Sequence, residues 1–197
     1  MKTMVRLFCL WLTLLSVPFA SAQAIHDESH HTEVTVKRLK KNEQPMFEVN
    51  ATGFVRAGQQ QAWRVLTDYE RLQEFVPDLQ SSILISRNGA EAIVEQHSEA
   101  GFLFLSQTIH MVVRVTEQPH SIIDVALISG DMRNYTARWE LVPTTRDGIE
   151  GTHIVFSGTM EPDFFVPPLV GSAIIQVNVR RMVNAVLTEI NKRGAGN

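Results

Sequence analysis

The chain has 197 residues, 44% of them hydrophobic and 20% charged, with a formal net charge of −3. A mildly acidic balance without basic clusters argues against nucleic acid as a partner. The one cysteine, Cys9, leaves no material for a disulfide framework or a thiolate metal site.

The first elements are read as targeting and tail. Lys2 and Arg6 precede the apolar run "LFCLWLTLLSVPF" and the small-residue step Ala20-Ser21-Ala22. That is the pattern of a secretory signal peptide, residues 1–22, cut before Gln23. The apolar run is about 13 residues, short of the ~20 that a membrane span needs. Loss of Lys2 and Arg6 would take the charge from −3 to −5. The expected location is therefore the periplasm, with secretion as the alternative. Residues 23–44 read as a polar tail followed by a short edge strand, "TEVTVKRLKK". His26, His30 and His31 lie in that tail. Short His-rich tracts bind metal, but an unstructured tail is not a preorganised site, and no metal site or cofactor is expected.

In "FEVNATGFV", Phe47, Val49, Ala51, Gly53 and Val55 share one face, as in a half-buried strand. Helical spacing follows over 58–76, with apolar residues at 62, 65, 66, 69, 72, 75 and 76. Thr67 and Glu70 match a capping box inside that run, and Pro77 ends it. The spacing predicts two short helices rather than one.

From Leu79 to Met160 the period is two. Asn88-Gly89 and Asp147-Gly148 are hairpin signals, and about six antiparallel strands are expected. "DFFVPPLVG" is an apolar, proline-rich connection. From Leu169 to Lys192 the spacing is helical again, with Ile175, Val179, Met182, Val183, Val186 and Ile190 in one stripe. The expected architecture is α+β: a curved antiparallel sheet of about six to seven strands wrapped around a long C-terminal helix. Two short helices after the first strand close one end.

Alternation also picks the concave face. Leu103, Leu105, Gln107, Ile109, Met111, Val113 and Val115 share one side of their strand. Tyr135, Ala137, Trp139 and Leu141 do so in another, with Ile154, Phe156, Gly158 and Met160 in a third and Ala92, Val94 and Gln96 in a fourth. The expected cavity lining is Leu66, Tyr69, Phe75, Gln96, Leu105, Gln107, Ile109, Tyr135, Trp139, Phe156, Val179, Met182 and Val183. It is apolar with a few neutral polar groups, a pocket composition. It is a poor catalytic composition, since acid–base work needs a group that titrates near the working pH. No catalytic residue is assigned. His110 and Arg114, with Glu95 and His97 on a neighbouring strand, are read as cross-strand pairs on the outer face, an acid–base site being the alternative.

The segments "AWRVLTDYERLQEFVPDLQSSILI", 62–85, and "FFVPPLVGSAIIQVNVRRMVNAVLTEI", 164–190, resemble the START-like superfamily with the helix-grip fold (SRPBCC). Within it, the chain is most similar to the polyketide cyclase/dehydrase and lipid-transport family, which includes coenzyme Q-binding proteins. The resemblance covers about residues 45–193, read as one domain. It implies a cavity between sheet and long helix that holds an apolar ligand, and it carries no universal catalytic motif. The chain departs from the coenzyme Q-binding branch, which is mitochondrial or cytosolic, by its export signal, and an exported acidic protein fits a ribosome-associated toxin branch poorly.

Three functions are weighed. The first is an exported, non-enzymatic protein holding a lipid, isoprenoid or quinone-like molecule. The second is a cyclase or dehydrase acting on an aromatic or polyketide-type substrate, with Tyr135 or His110 as its first acid–base suspects. The third is a cell-envelope interaction protein with a collapsed cavity. Phe164, Phe165 and Val166 are expected either to fill core or to form an apolar lip for transient membrane contact.

Overall fold

The computed structural model describes residues 32–41, 44–102 and 105–195, with side chains for all of these except 100–102, 105 and 106. Residues 1–22, expected from the sequence to be a signal peptide, together with His26, His30, His31 and Leu103, lie outside the described residues.

Eight strands form one antiparallel sheet: β1 (Glu33–Lys41), β2 (Gln44–Val55), β3 (Leu79–Asn88), β4 (Glu91–Phe102), β5 (Leu105–Gln118), β6 (Ile122–Gly130), β7 (Met132–Arg146) and β8 (Ile149–Pro162). Their order is β1-β2-β8-β7-β6-β5-β4-β3. The six strands expected between Leu79 and Met160 are β3 to β8. The total exceeds the expected count because β1 is a full nine-residue strand, paired with β2 from Glu33↔Thr52 to Lys41↔Gln44. An edge strand buries one flank only, so its apolar signal reduces to Val34 and Val36. Its lysines also blunt edge-to-edge pairing.

Two hairpins form at the turn signals. Asp147 and Gly148, with φ of 52° and 78°, make the two-residue β7–β8 loop, a turn that needs positive φ twice. Gly89 and Ala90 link β3 to β4, one residue beyond the Asn88-Gly89 pair.

The helical run does break. Helix α1 spans Gln59–Leu66, and a 3₁₀ helix spans Tyr69–Glu74. The capping box does not form: the Thr67 hydroxyl donates back to Trp63 O at 2.9 Å, and Asp68 precedes the 3₁₀ turn without a side-chain cap. Thr67 thus ends the first helix rather than starting the second, a local back-bond that competes with capping.

Helix α2 (Gly171–Gly194) lies on the concave face. Val179, Val183, Val186, Leu187 and Ile190 pack against Val49, Ala51, Val55, Val94, Val113 and Ile154 from the sheet. Among the described residues no helix is long and apolar enough to cross a membrane.

Candidate ligand cavity

The inward face of the sheet does not meet α2 everywhere. Towards β4–β7 the two separate, and two adjoining chambers remain. The inner one, about 260 Å³, lies under α1 and the 3₁₀ helix. The outer one, about 450 Å³, lies towards the connection before α2. Both are bordered by Ser98, Met111, Tyr135, Asn178 and Val179. Dimensions and lining are those of a small-molecule pocket.

Strand parity explains the lining. Val94, Gln96 and Ser98 alternate inward along β4, Met111, Val113 and Val115 along β5, and Tyr135, Ala137 and Trp139 along β7. Phe156 joins them from β8. From above come Leu66, Tyr69, Leu72 and Val76, and from α2 come Asn178, Val179, Met182 and Val186. Trp139 and Phe156 meet at a ring-centroid distance of 4.7 Å and form part of the floor.

Of the residues singled out in the sequence, Leu66, Tyr69, Gln96, Tyr135, Trp139, Phe156, Val179 and Met182 border the inner chamber. Gln107 and Ile109 border the outer one. Gln107 is exposed at its rim, and its amide donates to Thr108 O at 2.8 Å. Two expectations are corrected. Phe75 borders neither chamber, because it ends the 3₁₀ turn with the Arg193 guanidinium 5.7 Å from its ring centroid. Val183 borders neither chamber, being buried in the packed core between α2 and the sheet. Leu105 lies on β5, but its side chain is outside the described set.

Ser98 and Asn178 were missed, and both carried a signal. Ser98 continues the alternation of Gln96, and Asn178 lies three residues after Ile175 and four before Met182, on the same helix face. A single polar residue inside an apolar face is easily read as noise.

The polar groups of the cavity are mostly neutral. The Tyr135 hydroxyl has no hydrogen-bond partner among the described residues, and its apolar surroundings push its pKa up to about 12 by desolvation. Gln96 donates to Ser82 Oγ at 3.4 Å. Two carboxylates, Asp78 and Glu99, stand at the exposed rim. Asp78 pairs with Arg181 at 2.8 Å, and Glu99 accepts from Gln80 at 2.9 Å.

One inward acid escaped the sequence reading. Glu117 extends the inward face of β5 and is buried. It accepts from the Tyr69 hydroxyl at 2.6 Å and pairs with Arg87 at 3.0 Å. Burial, then the hydrogen bond to Glu117, raises the Tyr69 pKa far above the usual phenol value. This network anchors the 3₁₀ helix to the sheet. Arg193 to Asp68 at 3.1 Å and Arg181 to Asp78 tie both ends of the same segment to α2. The cover over the inner chamber is thus held from three sides.

The comparisons with known proteins agree with this geometry. A family model described as "Polyketide cyclase / dehydrase and lipid transport" matches residues 55–187, and the chain belongs to that family. Three solved structures share the fold across most of the chain. TTHA0849 from Thermus thermophilus is 18% identical, covering 76% of this chain and 99% of its own, with a TM-score of 0.62. The Zhui aromatase/cyclase from a Streptomyces species is 17% identical over 77% and 99%, with a TM-score of 0.63. A STAR-related lipid transfer protein from Xanthomonas axonopodis is 14% identical over 79% and 98%, with a TM-score of 0.61. No curated protein matches the chain. Family and fold define a hydrophobic-ligand-binding or polyketide-cyclase-like protein.

Proposed function

We propose that this protein is an exported carrier that holds one apolar molecule, a lipid, isoprenoid or quinone-like ligand, without transforming it. The observation that carries the reading is the character of the chambers. Their walls are aliphatic and aromatic, and their inward polar groups are amides and hydroxyls. The rim carboxylates Asp78 and Glu99 are engaged by Arg181 and Gln80, and the buried Glu117, which borders neither chamber, is held by Tyr69 and Arg87. Such a lining binds and orients an apolar molecule with one polar end. A proton transfer needs a group poised near the working pH, and the Tyr135 phenol is shifted away from it. Export rests on the leader pattern of residues 1–22.

The outer chamber supports entry from a membrane surface. Phe164, Phe165, Val166 and Pro167 border it, and Phe165 and Leu169 beside it are 82% and 97% exposed. An exposed apolar lip next to an apolar chamber is a route for a ligand that never crosses water. One observation favours a cyclase-like second reading: the unpartnered Tyr135 hydroxyl borders both chambers, where it could hydrogen-bond a substrate carbonyl.

The test is native mass spectrometry of residues 23–197 purified from the producing cell's envelope fraction, followed by solvent extraction. A stoichiometric ligand released unaltered supports the carrier. A ligand-free mass, together with no uptake of lipids or quinones from vesicles, overturns it. Turnover of an aromatic polyketide-type substrate that is lost in Tyr135→Phe would establish the second reading.

A further inference from the structure

On the convex face of the sheet, away from the chambers, the register brings three donors together. His97 on β4 stands directly opposite His110 on β5, and Glu95 lies two residues before His97 on the same face. One ligating atom from each of Glu95, His97 and His110 lies within 4.8 Å of the others. The imidazoles stack with centroids 4.6 Å apart, and His110 Nε2 lies 2.9 Å from Glu95 Oε1. All three side chains are half-buried, so an ion reaches them from solvent while their positions are set by the strands.

We propose that Glu95, His97 and His110 form a site for a first-row divalent cation such as zinc. Two imidazoles and one carboxylate suit zinc, with solvent completing a four-coordinate shell. At bond lengths of about 2.0–2.1 Å, neighbouring ligand atoms of such a shell lie ~3.4 Å apart. Side-chain rotation supplies the difference from the present spread. The cation takes the place of the direct contact between His110 Nε2 and Glu95 Oε1.

A supporting contact is also present. The Ser81 hydroxyl on β3 lies 3.1 Å from His97 Nδ1, and Ser81 is the residue paired with His97. With Nδ1 donating its proton to Ser81 Oγ, the His97 lone pair falls on Nε2, which is then free to ligate. Metal-bound histidines commonly use their second nitrogen this way. On β5, the His110 backbone N–H donates to Asp131 Oδ2 at 2.7 Å, which fixes that end of the ladder. Ser81 is thus a positioning residue for His97. The site is independent of the ligand cavity and of what the cavity binds.

The experiment is zinc titration of the full chain by calorimetry and indicator competition, with His26, His30 and His31 changed to Ala to silence the N-terminal tract. The expected result is one zinc per chain at micromolar affinity or tighter. Glu95→Gln, His97→Asn and His110→Asn should each weaken it at least tenfold, with circular dichroism unchanged. Ser81→Ala should weaken it about tenfold, and Ser81→Thr should restore it. Imidazole NMR should show His97 and His110 shifting while His120 and His153 stay put. No binding in this background, or affinity unchanged when His97 and His110 are both replaced, overturns the site.

Discussion

The Gly53→Ala substitution tests how tightly α2 is seated on the sheet. Gly53 is buried on β2, opposite Ile154 on β8. A Cβ there would lie 2.3 Å from Leu187 Cδ1 and 3.4 Å from both Cγ and Cδ2. Carbon atoms pack at about 3.5–4.0 Å, so Leu187 would have to move by more than ~1 Å. It is 0% exposed and surrounded by core, so it has nowhere to rotate without displacing α2. Overpacking of this kind costs ~1–3 kcal/mol. The loss of glycine's chain entropy in the unfolded state returns ~0.4–1 kcal/mol. The net expectation is destabilisation of ~1–2 kcal/mol, a Tm lower by roughly 2–8 °C at 2–4 °C per kcal/mol. Urea unfolding should show a lower midpoint at an unchanged slope. Leu187→Ala alone should cost ~2–5 kcal/mol. In the double variant the methyl group added at position 53 enters the space left by Leu187, so the combined cost should fall below the sum by at least ~1 kcal/mol. A Gly53→Ala protein as stable as the parent, or strictly additive costs, would refute the close seating of α2 on β2.

The chain's two tyrosines are both shifted upwards. Absorbance titration at 295 nm should therefore show no phenolate step near pH 10 before unfolding, and a half-amplitude step there would contradict the burial of one of them. The sign for stability follows: a pKa raised by folding stabilises fully below the unfolded value of about 10. That stability is lost as pH rises from there through the folded value, about 12 for Tyr135. Tyr135→Phe should flatten part of the alkaline loss of stability. Ala137→Leu, pointing into the chamber of about 260 Å³, should abolish co-purifying ligand while shifting stability by less than ~1.5 kcal/mol, since it fills a void; retained ligand would place the binding site elsewhere. Phe165→Asp with Leu169→Asp should reduce vesicle flotation severalfold without changing Tm, because both side chains are exposed; unchanged flotation would remove the lip from the entry route.

The parity of the strands, the stripe on α2 and the Asp147-Gly148 turn were legible because each is set by neighbours in sequence. A period of two or 3.6 states which residues share a face, and a turn needing positive φ names its own residues. Hence Gln96, Tyr135, Trp139 and Phe156 could be placed on the concave side from the sequence. Phe75 could not be resolved, because its final direction depends on Arg193 arriving from the far end of the chain.

Sequence by itself determined the elements, their order and the inward faces, all local properties of hydrophobic spacing and turn chemistry. Tertiary structure decided the rest. Cavity size depends on how far α2 stands off the sheet, a gap set by many packed side chains together. The capture of Glu117 by Tyr69 and Arg87 joins three elements. The meeting of His97 with His110 depends on the register of the β4–β5 ladder, where a slip of one residue would turn one of them to the other face.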